Sequence, residues 1–365
     1  MYSRGRTWIA IIWINNRNTC AMTIEFKKYV RVTRFLDPSM GFQENERPTE
    51  IRVDPLTGQT SRVLFFPIRV LPKPDLKEVV ERSLEFGCPF CPQMLEMVTP
   101  KFPPDITGAE RIKRGSAVIF PNMFPYDTYS AVAIFSEEHF KPLTDFSPEL
   151  LRDGFCVSQD FLAASNQAVK VARLFNSINW NYMPLAGGSI IHPHLQVIAG
   201  ESGTNYHAAV HEASAEYARR NGSSYWLDLI EEEARLGQRF LARTGSVSWL
   251  TSFSPKGFID IMAVFERAVS IMDITDSDWL DFSRGLSAAM KFLDSRGFYS
   301  FNMAIYSGFG EDHFKVYAKL IPRVLLPPMN TSDINYFNTL HNEVLSIFKP
   351  EDICAEARAF FNESR

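Results

Sequence analysis

The chain has 365 residues, 45% hydrophobic and 22% charged, the balance of a soluble globular protein with a sizeable core. Its formal net charge of -4 provides no field to hold nucleic acid or an anionic membrane, which excludes both as principal partners. The cysteines are Cys20, Cys88, Cys91, Cys156 and Cys354, with one close pair; this excludes a disulfide framework and points to a reducing cytoplasm.

Arg4 and Arg6 precede an apolar run at 8–14, which is too short to span a bilayer and is closed by Asn15, Asn16 and Arg17. Residues 1–21 read as a tail or upstream extension, with Met22 as the start. Between Met22 and Pro74 short β-type stretches alternate with turns, notably Asp54-Pro55-Leu56-Thr57-Gly58 before Val63 and Leu64. Residues 75–86 predict a helix stopped by Gly87. Cys88-Pro89-Phe90-Cys91-Pro92 follows, then a proline-rich loop through Pro104. Arg111, Lys113 and Arg114 form a local basic cluster open to a phosphate. Strands are expected at 117–120 and 129–135. Ser147 as N-cap and Pro148 open a long helix whose Leu151, Phe155, Leu162 and Val169 share a stripe. Strands return at 177–181 and 190–198.

After a polar helical region at 205–243 the order repeats. Residues 246–249 and 260–265 predict a strand pair, and 275–293 a helix with Trp279, Leu286, Met290 and Leu293 on one face. Strands at 301–306 and 313–321 close the second set, with His194 through Ala199 matched to His313 through Ala318. The fold class is therefore α+β: a duplicated β-β-α-β-β unit, antiparallel sheets with packed helices, with units at 22–204 and 205–365.

The sharpest motif is Gly187-Gly188-Ser189-Ile190-Ile191-His192-Pro193-His194-Leu195-Gln196. Residues two apart on a strand share a face, so His192, His194 and Gln196 are expected in one row. Gly187, Gly188 and Ser189 offer backbone N–H groups and a hydroxyl without bulk, suited to a phosphate. The bland alternative is two surface histidines on an edge strand. A neutral imidazole is a competent nucleophile near pH 7, so one histidine can hold a metal while the other attacks phosphorus. Cys88 and Cys91 have zinc-ligand spacing and need two more ligands. Thiol-disulfide oxidoreductases share that spacing but open a helix directly after a strand; here a helix precedes and a proline-rich loop follows, which favours metal. His139 stands just past a strand, at the mouth of the first unit. His207 and His211 read as solvated, and His341 carries no motif. Glu311 replaces a counterpart of His192, so the second unit reads as non-catalytic.

Through Cys88-Pro89-Phe90-Cys91-Pro92, His139 and Ser189 to Gln196, in that order, the chain resembles the galactose-1-phosphate uridylyltransferase family of the histidine-triad superfamily, over about residues 54–323. The resemblance implies two such units side by side, with the active site in the first. It implies Zn2+ held by Cys88, Cys91, His139 and His192, with His194 as nucleophile and Gln196 on the phosphoryl group in transit. It puts Ser189 on the departing phosphate, Asn181 beside it with Gly187 and Gly188, Asn122 in the nucleoside pocket and Arg69 on the nucleotide. The activity implied is transfer of a nucleoside monophosphate from a nucleotide sugar to a sugar phosphate through a nucleotidyl-histidine. A phosphorylase or hydrolase of nucleotide sugars or dinucleoside polyphosphates, and a non-enzymatic nucleotide-binding zinc protein, are the competing readings. A homodimer stays open. The chain also departs from the family: Ile190-Ile191 replaces Asn-Pro, and Met123 replaces an acid able to bind ribose. Tyr306, Tyr317 and Lys319 take the places of three histidines that hold a second metal in some members, so no second metal is expected. The segment after Arg323 does not match.

Overall fold

The computed structural model describes residues 24–65, 71–168 and 173–362, so residues 1–21, Arg69 and Val169 lie outside the described residues. The first strands, β1 (Lys28–Asp37), β2 (Gln43–Val53) and β3 (Thr60–Leu64), form a small antiparallel sheet. The turn between β2 and β3 closes because Asp54 Oδ1 accepts from Thr57 N at 2.7 Å and Gly58 takes φ 72°. Helices α1 (Lys77–Glu85), α2 (Pro92–Val98) and α3 (Pro104–Thr107) follow.

The main sheet takes its first half from β4 (Ile112–Arg114), β5 (Ala117–Pro121), β6 (Tyr129–Ile134), β7 (Phe175–Tyr182) and β8 (His194–Gly200), with helix α4 (Pro148–Ala168) crossing between β6 and β7. Helices α5 (Asn205–Asn221) and α6 (Tyr225–Leu236) connect to the second half. That half comprises β9 (Phe240–Thr244), β10 (Val247–Thr251), β11 (Ile261–Phe265), helix α7 (Asp276–Ser295), β12 (Ser300–Tyr306) and β13 (Tyr317–Arg323). A hairpin of β14 (Leu325–Leu326) and β15 (Thr331–Ser332), helix α8 (Tyr336–His341), β16 (Val344–Ser346) and helix α9 (Pro350–Asn362) complete the described chain. The strand order β4-β5-β6-β8-β7-β12-β13-β11-β10-β9 makes one ten-stranded antiparallel sheet, the halves meeting where β7 pairs with β12. The duplicated α+β architecture expected from the sequence is thus present, with β16 returning to pair with β3.

Period-two patterning decides which face is buried. In β7, Asn176, Ile178, Trp180 and Tyr182 point into the core, while Ser177, Asn179 and Asn181 stay on the other face. The core face packs on α4 and α7, where Phe155 stacks on Trp279 at 5.2 Å and Leu286, Met290 and Leu293 are fully buried. Ser147 caps α4 by accepting from Leu150 N at 3.2 Å, and Thr275 and Asp278 form a capping box on α7. On the opposite face α6 covers the second half, Trp226 stacking on Tyr317 at 4.2 Å. Over the first half a different cover is used: Cys88, Phe90 and Leu95 sit on Phe120, Val132 and Ile134. Among the described residues no helix is long and apolar enough to cross a membrane.

A buried ionic cluster ties the small sheet and α9 to the second half. Glu351 Oε1 lies 2.9 Å from Arg52 Nη1 and 2.8 Å from Arg239 Nη1, while Glu50 pairs with Arg52 and Glu233 with Arg239. Burial opposes ionisation of Glu351, but the two guanidinium groups outweigh it and hold its carboxyl at about 2. A carboxyl depressed below its unfolded value stabilises above that value and loses the contribution as pH falls through the folded one. Glu351→Gln is therefore expected to cost about 3 kcal/mol at neutral pH. The deficit should shrink between about pH 4.5 and 2. Urea melts of both proteins at pH 7 and at pH 3.5 check it, and an equal deficit at the two would contradict it.

Candidate functional site

The open face of the first half gathers side chains from three places. Cys88 and Cys91 come from the loop between α1 and α2, His139 from just past β6, and His192 from just before β8. One ligand atom of each lies within 4.8 Å of every other. His139 Nδ1 is 3.4 Å from Cys91 Sγ, and His192 Nδ1 is 3.8 Å from both sulfurs. A tetrahedral ion with bonds of about 2.3 Å to sulfur and 2.0 Å to nitrogen sets those atoms about 3.5 Å apart.

The tautomers agree. His192 Nε2–H donates to Ser136 O at 2.8 Å, and His139 Nε2–H to Ser83 Oγ at 2.8 Å, whose own proton goes to Val80 O. Both Nδ1 atoms are thus left bare toward the sulfurs, as metal ligation needs. Burial pushes His192 down to about 4 and lowers His139. Burial and the neighbouring Cys88 raise the Cys91 thiol to about 11, a cost that a bound dication removes by taking the thiolate. The group can hold a metal ion. Contrary to the expectation from sequence, Cys91 stands at the N-cap position of α2 with Pro92 at its first position, so a helix does open directly after the pair. The two histidines, rather than the following loop, separate a metal site from a redox one.

The strand that carries His194 also begins later than expected. β8 starts at His194, with His192 and Pro193 before it, so the row on one strand face holds His194 and Gln196 while His192 turns away toward the sulfurs. His194 Nδ1–H donates to His192 O at 2.8 Å, leaving Nε2 as the basic nitrogen. Burial lowers its pKa and keeps the ring neutral. Phe90, between the cysteines, packs edgewise on the His194 ring with centroids 5.2 Å apart. The sequence offered no signal for Ser83 or Ser136, and showed Phe90 only as a member of the cysteine motif.

The glycine turn differs from expectation in its donors. Gly187 N–H goes to Pro184 O at 2.9 Å and Gly188 N–H to Met183 O at 3.4 Å, so neither is offered to a ligand. Gly187 is needed for φ 87°, and a Cβ on Gly188 would sit 2.8 Å from Asn181 O. Met183, a non-glycine at φ 70° and ψ 159°, stores strain at the head of this turn. The free donors are the exposed Ser189 N–H and hydroxyl, which make no hydrogen bond among the described residues.

Asn181 lies on the site face but accepts at 2.7 Å from Asn302, which also holds Ala186 O and accepts from Arg323. Asn179, opposite Gln196 in register, adds a polar group that sequence reading passed over. Asn122 Oδ1 accepts from Phe124 N at 3.0 Å, shaping a turn on which Met123, Phe124 and Tyr126 are exposed. Gln196 Nε2 reaches Tyr126 Oη at 3.5 Å, so that turn borders the site. Arg69 lies outside the described residues. Arg111 and Arg114 are already engaged, with Glu96 and Thr99 and with Asp160 and Asp276.

The second half corrects the matching of the repeats. Val132 lies opposite Gln196 and Met262 opposite Lys319, and residues 130–135 and 260–265 hold the same place in their halves. Lys319 thus stands where Gln196 does and Tyr317 where His194 does, four residues from the match made on His313. His207 and His211 are not solvated either. His207 is buried, its Nε2–H donating to Ser307 O at 2.8 Å, and burial pushes it to about 4. Although no second metal was expected, His211, Glu311 and His313 form a further group of ligand atoms within 4.8 Å, with Nε2 of both histidines buried, that of His211 lying 3.7 Å from Glu311 Oε2.

No family model matches the chain. An uncharacterised protein of Archaeoglobus fulgidus is 31% identical over 342 residues, covering 93% of this chain and 100% of that protein. An ADP-glucose phosphorylase from Arabidopsis thaliana, solved with bound ADP-glucose, superposes with a TM-score of 0.65 at 16% identity, covering 85% of this chain and 98% of that one. A uridylyltransferase does so with a TM-score of 0.62 at 18% identity, covering 86% and 98%. At these identities the likeness is one of fold.

Proposed function

We propose that this chain, which belongs to one family with the Archaeoglobus fulgidus protein and has the galactose-1-phosphate uridylyltransferase fold of the histidine-triad superfamily, is a zinc-containing nucleotidyl-transfer enzyme. The observation that carries this reading is the division between the histidines on either side of Pro193. His192 presents Nδ1 to Cys88 and Cys91, while His194 ties its own Nδ1–H to the backbone and keeps a bare Nε2. Cys88, Cys91, His139 and His192 would hold the zinc and leave it no open position, so that it would serve to clamp the cysteine loop to the start of β8.

In the reaction, His194 Nε2 attacks the α-phosphorus of a nucleotide donor, forming a P–N bond as the P–O bond to the leaving phosphate breaks. Ser189 N–H and Oγ would receive the departing oxygen, Gln196 would hold the phosphoryl oxygens, and Asn181 and the turn at Gly187 and Gly188 would fix the distance. Asn122 and Arg69 would serve the nucleoside side. An acceptor oxygen then attacks the same phosphorus and releases His194. A sugar phosphate as acceptor makes the enzyme a transferase, and inorganic phosphate makes it a phosphorylase. Incubation with nucleotide sugars labelled at the α-phosphate tests this: an acid-labile adduct mapping to His194 and discharged by acceptor is expected. Absence of any adduct would favour a non-enzymatic nucleotide-binding protein.

The nucleotide preference follows from Met123. A carboxylate accepting from ribose hydroxyls is worth about 1.5–3 kcal/mol, and Met123 cannot supply one. The neighbouring acid, Asp127, instead accepts from Thr128 N at 2.7 Å and lies against Gly200. With Phe124 and Tyr126 exposed beside it, Met123 offers a broad apolar surface suited to a purine. ADP- or GDP-glucose is expected to exceed UDP-glucose in kcat/KM by about tenfold, roughly 1.4 kcal/mol. A tenfold preference for UDP-glucose would reverse this reading of Met123.

A further inference from the structure

The second half of the sheet reaches the site through a chain of polar side chains. Asn302 of β12 lies directly opposite Asn181 of β7, on the same open face. Its Nδ2 donates to Asn181 Oδ1 at 2.7 Å and to Ala186 O at 2.8 Å, so both of its protons are spent. Its Oδ1 accepts from Arg323 Nη1 at 3.1 Å. Arg323 is forked in turn on Asp333, Nε to Oδ2 at 2.8 Å and Nη2 to Oδ1 at 3.1 Å, and Asp333 is buried. The β14–β15 hairpin returns Asp333 to Arg323 from the stretch where the resemblance to the family ends.

This chain has a direction. A carboxylate only accepts and a guanidinium only donates, so Arg323 must meet the oxygen of the Asn302 amide. Ala186 O also only accepts, and so requires the NH2 end of the same amide. Asn302 is thus fixed from both sides, and it presents a proton to the oxygen of Asn181. An asparagine held by its oxygen turns its own NH2 away from that partner. Asn181 Nδ2 makes no hydrogen bond among the described residues, and its side chain is only partly buried. Reversed, the amide would show a phosphate a carbonyl oxygen, which repels it.

We propose that Asn302, backed by Arg323 and Asp333, is a positioning residue of the second half that locks the Asn181 amide with its NH2 toward the departing phosphate. The role rests on the nucleotidyl-transfer reading given above. As the P–O bond breaks, charge gathers on the leaving phosphate, and a donor already oriented there needs no reorganisation. The half of the sheet that carries no nucleophile thereby sets the polarity of a group on the leaving side of the reaction.

Single-turnover loading of His194 from a nucleotide sugar labelled at the α-phosphate tests it. Asn302→Leu frees the Asn181 amide to rotate, and loading should slow by about tenfold, the worth of a hydrogen bond to a charged oxygen. Asn302→Asp keeps the shape and the bond to Arg323 but offers Asn181 only oxygens, which turns that amide over. It should therefore load more slowly still, by roughly a hundredfold. A merely structural role would rank the two variants the other way, since aspartate preserves more of the native contacts. In an Asn181→Ala background either substitution should cost less than about threefold, because the group it acts through is gone. Circular dichroism reports that each variant is folded, and Asn302→Asp carries the test if the leucine protein is not. A wild type that loads normally, with the aspartate variant the milder of the two or with undiminished losses in the Asn181→Ala background, would overturn the role of Asn302 alone. A wild type that forms no adduct would overturn the nucleotidyl-transfer reading and this role with it.

Discussion

Replacing His194 with alanine is expected to remove nucleotidyl transfer, by roughly a thousandfold or more, while folding and metal content stay as they are. The separation follows from geometry. His194 spends Nδ1–H on the carbonyl of His192 and sends nothing to the sulfurs, so its loss leaves all four candidate ligands in place. Its ring is almost fully buried beside Phe90, so truncation leaves a cavity shaped for an imidazole. His194→Gly should therefore regain part of its activity when free imidazole is added, the added base attacking phosphorus from the same place. Adduct formation and steady-state turnover, followed with and without imidazole, measure both effects. Near-normal turnover by the alanine protein would sink the covalent mechanism.

Loss of Cys88 is expected to release one zinc per chain and to lower stability by about 4 kcal/mol, the linkage expected when a metal present at a thousand times its Kd is removed. Activity should fall as well, because the cluster holds the cysteine loop, and with it Phe90, against His194. Elemental analysis of wild type and Cys88→Ser separates this site from the group of His211, Glu311 and His313: the variant should lose one metal whatever that second group retains. Urea melts of the two proteins give the stability difference. A wild type without zinc, or with Cys88 and Cys91 joined as a disulfide, would refute the assignment.

The sequence by itself determined what depends on short-range order. The N-cap at Ser147, the apolar face of α7, the turn after Asp54 and the cysteine spacing all act within a few residues. Alternation within β8 likewise keeps His194 and Gln196 on one side of the sheet and Leu195 and Val197 in the core. The repeat of strand and helix was legible for the same reason, since each half carries its own patterning. Only the tertiary structure decided which polar atoms remain free. The N–H groups of Gly187 and Gly188 look available in the sequence but are taken by carbonyls of their own turn, leaving Ser189. His207 sits in a polar stretch, yet Phe175, Tyr306 and Phe314 surround it and bury it. The placement of His192, the register that sets Tyr317 at the position of His194, and the meeting of His211 with Glu311 and His313 likewise depend on strands and helices distant in sequence. A residue type fixes what a side chain can donate or accept. Whether it faces water, a backbone carbonyl or a metal depends on long-range packing, because burial and hydrogen-bond supply belong to the neighbours that the fold brings up.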